Sequence, residues 1–417
     1  MTNYNLSATL MSDRKTYYPL ILLLLIIFSS ISTAFAQYFE LTNKSKVNIP
    51  FKMVRNMVIL KLNINDRGPY NFILDTGVGI MIITEPKLID SLNIPDKRTL
   101  RLAGLGAGED YEAYVTAPLK IDMPGIKGVG VGAAIFKKDH FGLSNYAGIP
   151  IHGLLGYEFF NKLVVKLNFT DSVLTAYKPG KLKKIKKFEA LPILIENNKP
   201  YITTTVRFCD GSERKCKLIV DIGAGHPLSL DNHRVNRWPT EKSIAANLGM
   251  GLTGPISGEI SRVTQLSIGK YGLNNVLSSF PENQNSAYFT SRDGNLGMDV
   301  LKRFTVIFDY ENNLMYLKAR GNLKEPFEHD MSGMEYYAGG AGLKHVVISR
   351  VEPGSASDDI GLAKDDEIMS VNLKPVANMS LEDLDHLFKS GDGRGVLLEI
   401  YHDKQYSRVI LTLKRRI

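Results

Sequence analysis

For most of the chain, apolar and polar residues alternate over short stretches, the period of a strand buried on one face. Residues 58–65 read this way, as do 163–167 and 201–207. Turn signals such as Asn65-Asp66-Arg67-Gly68-Pro69 separate these stretches. Frequent short strands with few helical periods predict a mainly β body. The texture changes from about residue 330. A strand over 346–351 leads into the turn Glu352-Pro353-Gly354-Ser355-Ala356 and a second apolar segment at 360–372. Ser380 with Asp383 predicts a capping box that opens a helix through Leu384, Leu387 and Phe388. Strands over 396–401 and 408–413 follow.

The pattern also repeats. Phe72-Ile73-Leu74-Asp75-Thr76-Gly77 answers to Leu218-Ile219-Val220-Asp221-Ile222-Gly223. Gly153-Leu154-Leu155-Gly156 answers to Gly294-Asn295-Leu296-Gly297, and the strands after each also correspond. Between these blocks each half carries a Gly-rich stretch, around Gly106 in the first and Gly251 in the second. Internal self-similarity of this kind predicts two β lobes of one plan.

A length of 417 residues with 44% hydrophobic content fits two to three globular domains. The net charge of +8 is mild and gathers in the run 178–187, which reads as a solvated linker between the lobes. Without an arginine-rich or aromatic-interleaved stretch, no nucleic-acid partner is expected. Arg14 and Lys15, the apolar run 19–28 and the site Ala34-Phe35-Ala36 describe a secretory signal peptide over 1–36, cleaved before Gln37. If it stays uncleaved, the same segment is a membrane anchor, the one membrane contact expected. The two cysteines, Cys209 and Cys216, flank an Asp-Gly turn between two strand-like runs. In an oxidising compartment they form a candidate disulfide across the hairpin; the other reading is two free thiols on neighbouring strands.

The chemistry of the repeat lies in its aspartates. Two carboxylates held together share one proton, because like charges at that distance resist joint ionisation. The ionised partner takes a proton from water while the protonated one donates to a carbonyl oxygen. Asp75 and Asp221 are therefore the candidate catalytic pair. Gly77 and Gly223 allow tight turns and close approach of a substrate backbone, and Thr76 is placed to hydrogen-bond across the lobe junction. Ile222 stands where that hydroxyl would be repeated, so one cross-lobe bond is expected to be missing. Fewer hydroxyl donors should leave the carboxylates harder to ionise. His152 reads as structural, and His140, His226 and His233 lack metal-ligand spacing. No cofactor is called for.

Asp75-Thr76-Gly77, the Gly-rich hairpin and Ile151-His152-Gly153-Leu154-Leu155-Gly156 resemble the retropepsin-like aspartic proteases, particularly bacterial members. The resemblance covers roughly residues 45 to 320. It implies two pepsin/retropepsin-like β-barrel lobes fused as a pseudo-dimer, over 37–183 and 184–325. It also implies that Asp75 and Asp221 face each other, and that hairpins near Gly106 and Gly251 cover an extended peptide together with Thr76, Gly77 and Gly223. Residues 330–417 resemble a small α+β PDZ domain, on Gly342-Leu343-Lys344-His345-Val346-Val347-Ile348, Pro353-Gly354-Ser355-Ala356 and Gly361-Leu362-Ala363-Lys364-Asp365-Asp366. That likeness implies capture of C-terminal peptides, with the carboxylate loop expected around Ala341, Gly342 and Leu343. The expectation is a monomeric aspartic endopeptidase acting on polypeptides, exported to a bacterial envelope or secreted. The alternatives are an inactive peptide-binding protein on the same fold and a unit that needs homodimerisation.

Overall fold

The computed structural model describes residues 37–94, 97–102, 111–182, 185–231, 238–251, 254–282 and 292–417. The proposed signal segment and Gly106 lie outside them. The chain is mainly β, with a separate six-stranded sheet at its C-terminal end. Alternation marks the second half of the strand Met57–Ile64, where 60, 62 and 64 are buried and Lys61 and Asn63 exposed, while its first half, 57–60, is buried throughout.

The first lobe is built on an 11-stranded sheet. The strand Arg67–Leu74 pairs antiparallel with Met57–Ile64 and parallel with Gly153–Leu155. The second lobe repeats this arrangement in an eight-stranded sheet, where Glu213–Val220 pairs antiparallel with Lys199–Arg207 and parallel with Gly294–Leu296. A third sheet of six strands draws on both halves. In it Val164–Asn168 lies antiparallel to Phe304–Asp309, with Leu167 opposite Val306. One buried apolar cluster runs continuously through both halves.

The fourth sheet has its own core, including Ile348, Ile368, Leu384, Phe388 and Leu398. Its order is Met334–Gly339, His345–Val351, Glu367–Val371, Gly395–His402, Gln405–Thr412, so Met334–Gly339 is an edge. The expected capping box is present: Ser380 Oγ accepts from the Asp383 amide at 3.2 Å, and the Ser380 amide donates to Asp383 at 2.8 Å, at the head of the helix Leu381–Phe388. Asp365, where this fold often has glycine, takes the left-handed backbone, φ 73°.

The candidate disulfide is not formed. Cys209 is an exposed free thiol and Cys216 a buried one. The Asp210-Gly211 turn is as expected, with Asp210 accepting from the Ser212 amide at 2.9 Å. The register explains the separation. Cys216 sits opposite Thr204, whereas Cys209 lies beyond the last pair, Arg207 opposite Glu213. At about 3.3 Å per residue, that displacement is too large for a bridge. Burial pushes the Cys216 thiol up to about 12.

Aromatic packing ties the halves together. Phe160 of the first lobe lies edge-on to Phe308 and stacks on Tyr310, with ring centroids 5.4 Å apart in both cases. Phe160 and Phe308 are fully buried. Phe160→Ala should therefore lower stability by about 3–5 kcal/mol in urea unfolding. Its effect should be non-additive with Phe308→Ala, because the two rings share one contact.

Candidate active site

Each aspartate sits where a buried strand ends. Phe72, Ile73 and Leu74 are buried immediately before Asp75, as Leu218, Ile219 and Val220 are before Asp221. The parallel neighbour then fixes the turn. The Asp75 amide donates to Leu155 O at 2.9 Å, and the Asp221 amide to Leu296 O at 2.9 Å. The repeated Gly-x-x-Gly blocks supply those neighbours. A Cβ on Gly156 would come within 2.5 Å of Val78 O, and one on Gly297 within 1.9 Å of His226 O. Only a bare backbone lets each turn pass there.

The two turns interlock. A Cβ on Gly77 would lie 2.8 Å from Asp221 Oδ2, and one on Gly223 would lie 2.2 Å from Asp75 Cγ. Each glycine thus makes room for the other half's carboxylate, which brings the two carboxyl groups together at the junction. Thr76, 1% exposed, reaches across the junction. Its hydroxyl donates to Val220 O at 2.6 Å and accepts from the Ile222 amide at 3.0 Å, so it clamps the backbone on both sides of Asp221. Ile222 is fully buried and returns no such bond.

The surroundings of the two carboxylates differ. Asp75 accepts from the Gly77 amide at 2.6 Å. Asp221 accepts from Gly223 N at 3.0 Å and Ala224 N at 3.1 Å on Oδ1, and from Asn295 Nδ2 at 2.8 Å on Oδ2. Burial raises Asp75 to about 8, and the neighbouring Asp221 charge adds to the rise. The Gly77 amide and the positive charge of Lys199 oppose it. Burial lowers the pKa of the nearby His226, while the Asp221 charge opposes that shift.

Sequence reading missed Asn295 and Lys199. Asn295 had a signal, since it interrupts a repeat whose other copy has Leu154. Lys199 had none. It follows the turn at Asn197 and Asn198, and Asn198 Nδ2 donates to Gly79 O of the first lobe at 3.3 Å. A further contact comes from the turn Arg55-Asn56. Asn56 Nδ2 donates to Gly225 O at 2.9 Å and its Oδ1 accepts from Lys302 Nζ at 2.9 Å, beside the Asp221 turn.

The other residues named from sequence fall as follows. His152 is a structural link: its Nδ1 accepts from the Asn71 amide at 3.1 Å and its ring meets Tyr70 edge-on at 5.1 Å. Gly251 lies at the end of the hairpin formed by Ile244–Gly251 and Gly254–Ile268, directly opposite Gly254. The first hairpin pairs Lys97–Leu102 with Tyr111–Thr116, and its tip, with Gly106, is outside the described residues. Ala341, Gly342 and Leu343 form a short 3-10 turn joining Met334–Gly339 to His345–Val351. They lie in the connection, not on the edge strand itself.

Removing the Thr76 hydroxyl strands a buried carbonyl and a buried amide. Thr76→Val should cost about 1–3 kcal/mol in chemical denaturation, and Thr76→Ser should restore most of it.

No curated protein matches the chain. Residues 60–159, which include Asp75 and the first Gly-x-x-Gly block, match the family model described as aspartyl protease. Residues 323–400 match the PDZ domain model. The chain thus holds a retropepsin-like aspartyl protease domain within residues 60–159 and a PDZ domain within 323–400, as the sequence resemblance implied for those two stretches.

Proposed function

We propose that this protein is an aspartic endopeptidase whose catalytic pair is Asp75 and Asp221, both from one chain. The reading is carried by one observation, the reciprocal fit of Gly77 against Asp221 and Gly223 against Asp75, which brings the two carboxyl groups together. The pair shares one proton. Three N–H donors reach Asp221 and one reaches Asp75, so the proton rests on Asp75 and the charge on Asp221. Asp221 then takes a proton from a bound water as the oxygen attacks the peptide carbonyl, and Asp75 donates its proton to the carbonyl oxygen. Collapse of the tetrahedral intermediate returns a proton to Asp75, while Asp221 gives its own to the leaving amine. The hairpin ending at Gly251 and the strand pair Lys97–Leu102 and Tyr111–Thr116 lie over the substrate. The PDZ domain binds peptide C-termini, and the N-terminal segment 1–36 directs export.

Two measurements test this reading. Asp75→Asn and Asp221→Asn should each lower cleavage of a denatured protein substrate by on the order of a thousandfold or more. Full activity of Asp221→Asn would point to a homodimer of first lobes, and an inactive parent chain would leave a peptide-binding protein. The pH profile supplies the second test. Because the folded-state pKa of Asp75 is raised, its proton is retained at neutral pH and lost as pH rises through about 8. Turnover should therefore persist at neutral pH and fall across that point, and a maximum near stomach acidity would contradict the assignment.

A further inference from the structure

A PDZ domain takes peptide by adding it as a strand to a sheet edge. Here the edge beside the helix Leu381–Phe388 is the strand Met334–Gly339. Tyr336 spans the two, stacking edge-on against Phe388 at 5.7 Å and donating its hydroxyl to Asp385 at 2.6 Å. Ala338 and Leu381 supply apolar wall.

That edge is already taken. Asn145, in the first-lobe helix Leu143–Ala147, donates its amide to Ala338 O at 2.8 Å. Arg55 reaches Tyr336 O at 3.5 Å and donates to Tyr146 O at 3.0 Å. Residues 336 and 338 are two apart on the strand, the spacing of carbonyls that face one side. Arg55 also grips the groove helix, bidentate on Asp385 at 2.8 and 2.9 Å, and its guanidinium lies over the rings of Tyr146 and Tyr336. Gly148 completes the seal: a Cβ there would be 3.3 Å from Leu381 Cγ and 3.7 Å from Ala338 Cβ. From the other lobe, Asn247 donates to Glu335 on the same strand at 2.9 Å.

We propose that the protease lobe is the resident occupant of the PDZ groove, so that an extended peptide with an apolar C-terminal residue enters only by displacing Asn145 and Arg55. The lobe segment mimics an added strand with side-chain donors. Free peptide competes with it, and the apparent affinity is lowered by the fraction of molecules in which the latch is open. The proposal rests on the PDZ domain being a peptide binder, and it is independent of whether Asp75 and Asp221 hydrolyse anything.

The test uses the full chain with Asp75→Asn, so that probes are not cut. Peptides with free C-termini are selected from a random heptapeptide display library against this chain and against the same chain carrying Arg55→Ala and Asn145→Ala. Fluorescein-labelled versions are then titrated against both. The expected result is at least tenfold tighter binding to the unlatched form, with Arg55→Lys intermediate because it keeps the charge but loses the bidentate grip. Asp385 keeps its bond to Tyr336 in these variants, so the groove wall survives. Equal affinity for both forms overturns the latch alone. Failure of both forms to select any peptide overturns the latch together with the peptide-binding reading on which it rests.

Discussion

Two carboxyl groups in contact inside a protein repel each other unless a proton lies between them. The structure around Asp75 and Asp221 exists to hold them together despite that cost. Each is the first residue after a buried strand, each turn is fixed by a parallel neighbour, and each glycine leaves space for the opposite carboxyl group. Thr76 ties one half to the backbone of the other. Removing any of these supports would let the groups drift apart and ionise separately, with no geometry left for a shared proton. The unequal donor sets give the two carboxyl groups different surroundings within a nearly symmetric frame.

What could be read from sequence was whatever repeats or alternates. The strands around residues 58–65 and 201–207 and the Ser380 helix follow from local period and capping, and they stand where those signals put them. The candidate pair was legible because the same block occurs twice. Less legible were contacts that depend on which strand neighbours which. Asn295 shows only as a polar residue in an apolar repeat slot, and Lys199 not at all. The cysteine hairpin makes the same point: its turn chemistry was plain, but whether two thiols meet depends on register, which short-range pattern does not specify. Arg55 and Asp385 are separated by most of the chain, and nothing local in either marks their pairing.

The C-terminal domain has a separate core yet is not an independent appendage. Its own apolar cluster would let it fold around Ile348, Phe388 and Leu398, while its edge strand is engaged by polar side chains of both lobes. Polar contacts of this kind cost little to exchange for others, unlike the buried aromatic contacts that join the lobes. The molecule therefore combines one junction that is hard to open with another that is easy.

The six-stranded sheet shared by the two halves bears on how the protein behaves when scarce. Where a paired site forms from separate chains, halving the protein more than halves the number of complete sites, because encounter is second order. Here Val164–Asn168 and Phe304–Asp309 meet within one molecule, and their meeting does not depend on concentration. This sheet is therefore as well formed in a single copy in a dilute compartment as in a crowded one.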